Sequence, residues 1–475
     1  MTKRAIVLSQ FNFDADPRHR YWSDSLRERN YQVTEIELLQ LPQKFLKAVE
    51  VTQNAERISV FHWSDRERLI ATTPHQYRNL LSAQRDTAIG KYLEQILASC
   101  ALSLQIVRNQ IEAPDVLVAN DLIPALACKL SGLTSQYSIY DAQEFFTSSY
   151  DVIGIKGLSE REKSAWDRRE STVVSEFTKL IGISAEGCKL MTNKFGYEFE
   201  ELPNCVPSSR LREAIPISDA SKESPIRYVF VGRAEPNRGL EQLVDSWEFT
   251  SQVATLTLYI PESSHKKNLV RRCRNKQLSG SITFPSPLST SEMISEISAY
   301  DVGIVPYLFQ GEYAYASPTK FGDYLAAGLP TLVSVSCQTV ARIVLSQGIG
   351  EVADFHFTDS IQHAVIKMNS KIAEDGFDKN VYRFREQYVW DNYFETIFGE
   401  SLGRKLLPLD SSRSSRNNVY GWPNYAGLNL PSATFKDSNL SIRQQIRASF
   451  VTLRLFLALN LVKRFAFVPR ILSKM

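Results

Sequence analysis

No cysteine pair stands at metal-ligand or redox spacing. Cys100, Cys128, Cys188, Cys205, Cys273 and Cys337 are scattered, with no CxxC and no Cys/His cluster, which argues against a structural zinc site. The six histidines, His19, His62, His75, His265, His356 and His363, likewise share no metal-ligand spacing, so no metal centre is expected. Long apolar runs are missing too. No stretch reaches the about 20 consecutive apolar residues that a membrane span needs. The N-terminal Met1-Thr2-Lys3-Arg4 leads into the apolar Ala5-Ile6-Val7-Leu8 and then into polar residues, too short a core for a secretory signal and without a small-residue cleavage site. A cytoplasmic protein with reduced cysteines is the expectation. Glycine and proline, 21 and 20 in 475 residues, are neither enriched nor absent, so collagen-like and wholly disordered chains are excluded, and the length predicts two domains and an appendage.

Acidic residues are missing from one end. None follows Asp437, and residues 401–475 carry twelve Lys/Arg against Asp410 and Asp437, a net of +10 that leaves residues 1–400 at −7. An acidic body argues against nucleic acid as a partner, whereas the basic tail points to an anionic partner of its own. Residues 401–440, rich in Ser, Asn, Pro and Gly and without a period, read as a linker. Projected at about 100° per residue, Arg443, Arg447 and Arg454 fall on one stripe of 441–475, with Ile446, Phe450, Leu453, Phe456 and Leu457 over much of the rest. A basic amphipathic helix lying on an anionic membrane surface is expected there, each basic residue near the leaflet contributing about 1 kcal/mol. Docking of the same helix onto the acidic body is the alternative.

The first half alternates β-branched runs with helix-like segments. Residues 4–8, 32–36, 115–119, 138–140 and 180–184 read as strands, and 21–29 and 124–130 as helices. After a polar stretch at 205–225 punctuated by Pro207, Pro216 and Pro225, a second series begins. Strands are predicted at 228–231, 255–260, 282–284, 302–305 and 331–335, with helices over 240–247 and 321–327. Strand-helix alternation implies parallel, doubly wound sheets, here two in tandem, which bind ligands outside the carboxyl ends of their strands.

The strongest chemical signal is Val229-Phe230-Val231-Gly232-Arg233-Ala234-Glu235-Pro236-Asn237-Arg238-Gly239-Leu240. A strand ends at Gly232, two guanidinium groups follow five residues apart, and Gly239 opens a helix, an arrangement suited to gripping a diphosphate. About 70 residues on, the strand of Val302-Gly303-Ile304-Val305 leads through Tyr315-Ala316-Ser317-Pro318-Thr319-Lys320-Phe321-Gly322-Asp323 into a helix ended by Gly328. A phosphate would meet the helix amides and Lys320, and Asp323 would accept from a ribose diol.

These residues resemble the GT-B fold glycosyltransferases of the family-4 type, whose second domain reads "GR...KG" followed by "E-x7-E" in a form like "SPxKxxEYLAAGxPV". The match spans about residues 3–400. Asp115-Val116-Leu117-Val118-Ala119-Asn120-Asp121-Leu122 resembles "DVVHAHDL", Ser138-Ile139-Tyr140-Asp141-Ala142-Gln143-Glu144 resembles "VYDSHE", Leu202-Pro203-Asn204-Cys205-Val206 resembles "IPNGV", and Asp16-Pro17-Arg18 the "DPR" form of the acceptor loop.

The resemblance implies a metal-independent, cofactor-free, retaining hexosyltransferase built as two Rossmann-like domains plus a basic extension. Residues 1–205 would hold the acceptor and 206–383 the nucleotide-sugar donor, with a helix over 384–400 crossing back to the first domain. Donor binding falls to Gly232, Arg233, Arg238, Tyr315, Ser317, Thr319, Lys320 and Asp323, with Arg233, Arg238 and Asn120 carrying the chemistry. Acceptor binding falls to Asp16, Arg18, Asp121, Asp141 and Glu144, and Arg18 has an ion pair with Asp16 as its structural alternative. A glycan or lipid-linked acceptor from cell-envelope or extracellular polysaccharide biosynthesis is implied, met on the cytoplasmic face of the membrane. The chain departs from the family pattern where Arg238 replaces Lys, Asp323 replaces the second Glu, Tyr315 the first Glu, and Asn120 and Gln143 two His. Those replacements leave open a non-catalytic nucleotide-sugar-binding subunit. An epimerase on the same fold would need paired acid/base groups that no motif supplies.

Overall fold

The computed structural model describes residues 2–10, 16–40, 50–54, 57–62, 66–81, 86–149, 157–213, 225–309, 311–374 and 376–399. The linker expected at 401–440 and the basic helix expected at 441–475 lie outside them.

The first series comprises β1 (Lys3–Ser9), α1 (Pro17–Glu28), β2 (Tyr31–Gln40), β3 (Glu50–Asn54), β4 (Arg57–His62), α2 (Arg66–Thr72), α3 (Ala88–Arg108) and β5 (Val116–Asn120). It continues with α4 (Leu122–Ser131), β6 (Tyr137–Ala142), α5 (Phe146–Ser149), α6 (Glu160–Glu176), β7 (Lys179–Gly182), α7 (Ala185–Phe195) and β8 (Glu200–Glu201). Its sheet runs β3-β4-β2-β1-β5-β6-β7-β8 and is parallel throughout except for β3, which pairs antiparallel with β4. The central strand β5, Val-Leu-Val-Ala-Asn, is buried at every position, as a strand covered by helices on both faces must be.

Helix α1 begins four residues before the amphipathic period shows. The Asp16 carboxylate accepts the Arg18 backbone N–H at 3.0 Å and Pro17 fills the first helical position, so start signals rather than periodicity fix the boundary.

The second series comprises β9 (Ile226–Val231), α8 (Leu240–Thr250), β10 (Ala254–Tyr259), α9 (Ser264–Asn275), β11 (Ile282–Thr283), α10 (Met293–Ile297), β12 (Val302–Val305) and α11 (Thr319–Ala326). After it come β13 (Thr331–Ser334), α12 (Gln338–Gln347), β14 (Gly350–Ala353), α13 (Thr358–Ile372), α14 (Phe377–Gln387) and α15 (Trp390–Gly399). This sheet, β11-β10-β9-β12-β13-β14, is parallel throughout.

Helix α15 leaves the second lobe and packs on α1 of the first. The Trp390 backbone N–H donates to the Val206 carbonyl at 2.9 Å, and its indole Nε1 donates to Ser25 Oγ at 2.9 Å. Its ring meets Trp22 edge-on at 5.5 Å between centroids. One continuous apolar cluster therefore holds the α1 side of the first sheet (Val7, Trp22, Leu26, Val118), the connection (Leu202, Val206), Trp390 and the whole interior of the second lobe. A second cluster, with Leu8, Leu97, Leu126 and Trp166, covers the other face of the first sheet.

Candidate functional site

In an open parallel sheet the crevice forms where strand order reverses. The second sheet reverses between β9 and β12, and the conspicuous motifs of the sequence leave the carboxyl ends of those two strands. Tyr324 of α11 closes the reversal point. Its hydroxyl accepts the Val231 N–H at 3.2 Å and donates to the Ile304 carbonyl at 3.2 Å, joining both strands. The ring lies so close to β12 that a Cβ on Gly303 would come within 2.3 Å of it, which is why glycine stands there.

After β9, Gly232 turns the chain, and Arg233 is exposed with no hydrogen-bond partner among the described residues. Arg238 ends a single 3-10 turn over Pro236–Arg238. Its guanidinium lies 4.3 Å from the centroid of the Tyr307 ring and donates to Glu235 Oε2 at 3.0 and 3.2 Å. Gly239, the N-cap of α8, has φ +65°, and a Cβ there would stand 2.3 Å from the Pro306 carbonyl oxygen. The β9 and β12 loops touch at this point.

On α11, Lys320 Nζ lies 3.1 Å from Asp323 Oδ2. Burial works against the ammonium, but Asp323 and Tyr307 outweigh it and hold the Lys320 pKa above its ordinary value, so it carries its charge. Asp323 is buried and Thr319 exposed. Ser317 turns inward, its hydroxyl 3.1 Å from that of Tyr388 and its carbonyl accepting from Asn204 Nδ2 at 2.7 Å. The Tyr315 side chain packs against the first lobe's apolar cluster, because the turn that carries it leans on that lobe.

The first sheet reverses between β1 and β5, and Asn120 bridges that point. Its Nδ2 donates to the Leu8 carbonyl at 2.9 Å and its Oδ1 accepts from Gln143 Nε2 at 3.3 Å, with the side chain buried. Asp121 follows in the left-handed region at φ +69°, unusual for a residue other than glycine. Its Oδ1 accepts the Gln143 N–H at 3.0 Å. Burial, then the charges of Glu144 and Asp141, push its pKa well above the usual carboxylate range. Glu144 is exposed beside it.

Arg18 and Asp141, both expected at the acceptor edge, pair with each other across 123 residues. Arg18 Nε and Nη2 donate to the two Asp141 oxygens at 2.8 and 2.7 Å, and Trp22 Nε1 donates to Oδ2 at 2.8 Å. Arg18 Nη1 reaches the Pro203 carbonyl and Asn204 Oδ1, each at 3.2 Å. With 3% and 0% of their surfaces exposed, these groups spend their hydrogen-bonding capacity inside the protein, tying α1 to the connection between the lobes. Arg18 therefore pairs with Asp141, while Asp16 caps α1.

No family model and no curated protein sequence matches the chain. Solved structures do. An α,α-trehalose-phosphate synthase (UDP-forming) from Burkholderia vietnamiensis superposes with a TM-score of 0.57 at 10% identity, covering 84% of this chain and 99% of that one. A sucrose-phosphate synthase from Thermosynechococcus elongatus gives 0.55 at 13% identity over 84% and 100%. The lipopolysaccharide outer core galactosyltransferase WaaB gives 0.53 at 13% identity over the same shares. The fold is GT-B.

Arg233 and Arg238 follow β9 and Lys320 and Asp323 stand on the helix after β12, on either side of the second sheet's reversal, while Asn120 and Asp121 stand at that of the first. The second lobe offers Arg233, Arg238 and Lys320 as cations and Asp323 as an acceptor of hydroxyl protons, a set matched to a diphosphate flanked by a diol. The sequence gives no local sign of the roles of Tyr324 or of the Tyr21–Arg210 pair. Tyr21 of α1 accepts from Arg210 Nη1 at 2.6 Å, Arg210 Nη2 donates to the Thr290 carbonyl at 3.1 Å, and burial lifts the Tyr21 pKa to about 12. Among the described residues no cluster of His, Cys, Asp or Glu is built to hold a metal, and no helix is long and apolar enough to cross a membrane.

Proposed function

We propose that the chain is a retaining glycosyltransferase, moving a hexosyl group from a nucleotide-sugar donor to a glycan or lipid-linked acceptor in envelope or extracellular polysaccharide synthesis. One observation carries the reading: Arg233 and Arg238 follow β9, and Lys320 and Asp323 stand on the helix that follows β12, the two strands between which the second sheet reverses. The likeness to solved structures named as synthases and a galactosyltransferase supports it.

In this reading the bond between the anomeric carbon and the diphosphate breaks while an acceptor hydroxyl attacks from the same face, its proton passing to the departing diphosphate. Negative charge grows on the leaving group, so fixed cations that hold it more tightly in the transition state than in the bound donor lower the barrier. Arg233 and Arg238 supply them without a metal or cofactor. Gly232, Thr319 and the α11 amides line the donor side, with Ser317 and Tyr315 shaping it through their backbone. Asp323 holds the ribose, and Asp16, Asp121 and Glu144 face the acceptor. Arg18, Asp141 and Asn120 position that lobe. Residues 441–475 would hold the enzyme at the cytoplasmic membrane face.

Calorimetry with UDP-, GDP- and ADP-sugars tests the donor site. Arg233→Ala should weaken binding of the one accepted class by about 1.5–3 kcal/mol, the worth of a charge-assisted hydrogen bond. Binding of none of them by the wild type would remove the reading. Donor binding without transfer to any acceptor, with anionic vesicles present, would favour the non-catalytic subunit, for which the inward-packed Tyr315 speaks.

A further inference from the structure

The N-terminal end of α7, in the first lobe, grips two pieces of the second. Ser184, the α7 N-cap, accepts the Gly187 N–H at 3.0 Å and donates to the Tyr315 carbonyl. Glu186, in the first turn of the helix, pairs with Arg342 of α12. The Thr339 hydroxyl lies 2.8 Å from Glu186 Oε2 and 3.2 Å from the Tyr315 carbonyl, and donates to one of them at a time. Thr339 and Arg342 stand three apart on α12, so a single helical face meets Glu186. Ser148 of α5 donates to Glu312, holding the other end of the turn over Gly311–Tyr315.

Both gripped pieces lead directly to donor-side groups. The turn runs through Ala316, Ser317 and Pro318 into α11, which carries Lys320 and Asp323. Helix α12 starts after Cys337, whose thiol donates to the Tyr307 carbonyl at 3.7 Å, and the Tyr307 ring carries Arg238. Two short covalent and packed routes therefore join Glu186 to the cations that would meet a diphosphate.

We infer that Glu186, acting through Arg342 and Thr339, is a positioning residue: a side chain of the acceptor lobe that sets the placement of the donor loop without touching the donor. The identity of the donor groups rests on the glycosyltransferase reading; the grip on the turn does not. Such a link makes donor binding and lobe contact one equilibrium, because each is favoured by the same placement of 311–318.

Hydrogen exchange of the amides in 311–326 and nucleotide-sugar binding are measured on the full chain for wild type, Arg342→Ala, Arg342→Lys and Glu186→Gln. Arg342 is 42% exposed in its side chain, so its truncation leaves the core intact. Exchange in Arg342→Ala and Glu186→Gln should speed up, and the Kd rise, each about three- to fivefold, the scale of a partly exposed ion pair and of local opening. Arg342→Lys should restore most of both. Unchanged exchange in Arg342→Ala and Glu186→Gln overturns the inference, as does faster exchange with an unchanged Kd. If the wild type binds no nucleotide sugar, the donor assignment falls, and the exchange result alone decides whether α7 holds the turn.

Discussion

Glu170 shows how far a buried side chain can leave its usual chemistry. It is 1% exposed, and Tyr140 donates to its Oε1 at 2.8 Å. Burial raises its pKa from 4.5 to about 7 against the opposing pull of Lys194 and the Tyr140 hydrogen bond. The folded protein thus keeps a proton that the unfolded chain releases near 4.5, so the folded state loses stability as pH rises from about 4.5 to 7, by up to about 1.4 kcal/mol per unit from this group. Glu170→Gln should remove that slope. Its melting temperature should exceed the wild type's at pH 8 and approach it at pH 5, and parallel melting curves across that range would contradict the assignment. At this scale the sequence was legible in part. Arg233 and Arg238 follow directly on a strand that its apolar run makes readable, and Lys320 and Asp323 stand in a helix whose start is marked by Pro318. The sequence could not foresee that Arg18 and Asp141 neutralise each other, because a partner 123 residues away leaves no local trace.

At the scale of elements, the central parallel strands were readable from their apolar runs, whereas β3 and β14 were not, being short or polar and without alternation. Helix α3 shows a different limit. It is buried along most of its length, so it lacks the polar face that marks an amphipathic helix. The junction at Gly239 carries a prediction. Alanine there must adopt a left-handed backbone, costing about 1–2 kcal/mol, and must also displace the Pro306 carbonyl 2.3 Å away. Gly239→Ala should therefore lower the melting temperature and weaken nucleotide-sugar binding as Arg238 separates from Tyr307. Gly280→Ala, at a position with open space around it, serves as the control and should change neither. Equal behaviour of the two variants would show that the β9 and β12 loops do not depend on this contact.

The whole molecule is held together by the last described helix as much as by the connection at 201–213. Trp390 is 1% exposed and touches Tyr21, Trp22 and the Val206 carbonyl. Trp390→Ala should cost about 3–5 kcal/mol, and because the apolar cluster runs through this residue, calorimetry should show one wild-type transition splitting into two. A single transition in the variant would mean that the lobes are coupled elsewhere. The sequence did mark this helix as one that crosses back, through its resemblance to a family pattern and not through any property of residues 390–398 themselves. The crossing also fixes an order of events during synthesis. Trp22 and Leu26 are made early, but their cover is encoded nearly 400 residues into the chain. At about 5–20 residues per second, the ribosome needs roughly 10–40 s after the first lobe has emerged to deliver that cover, and for this interval the nascent protein presents an aromatic face to the cell.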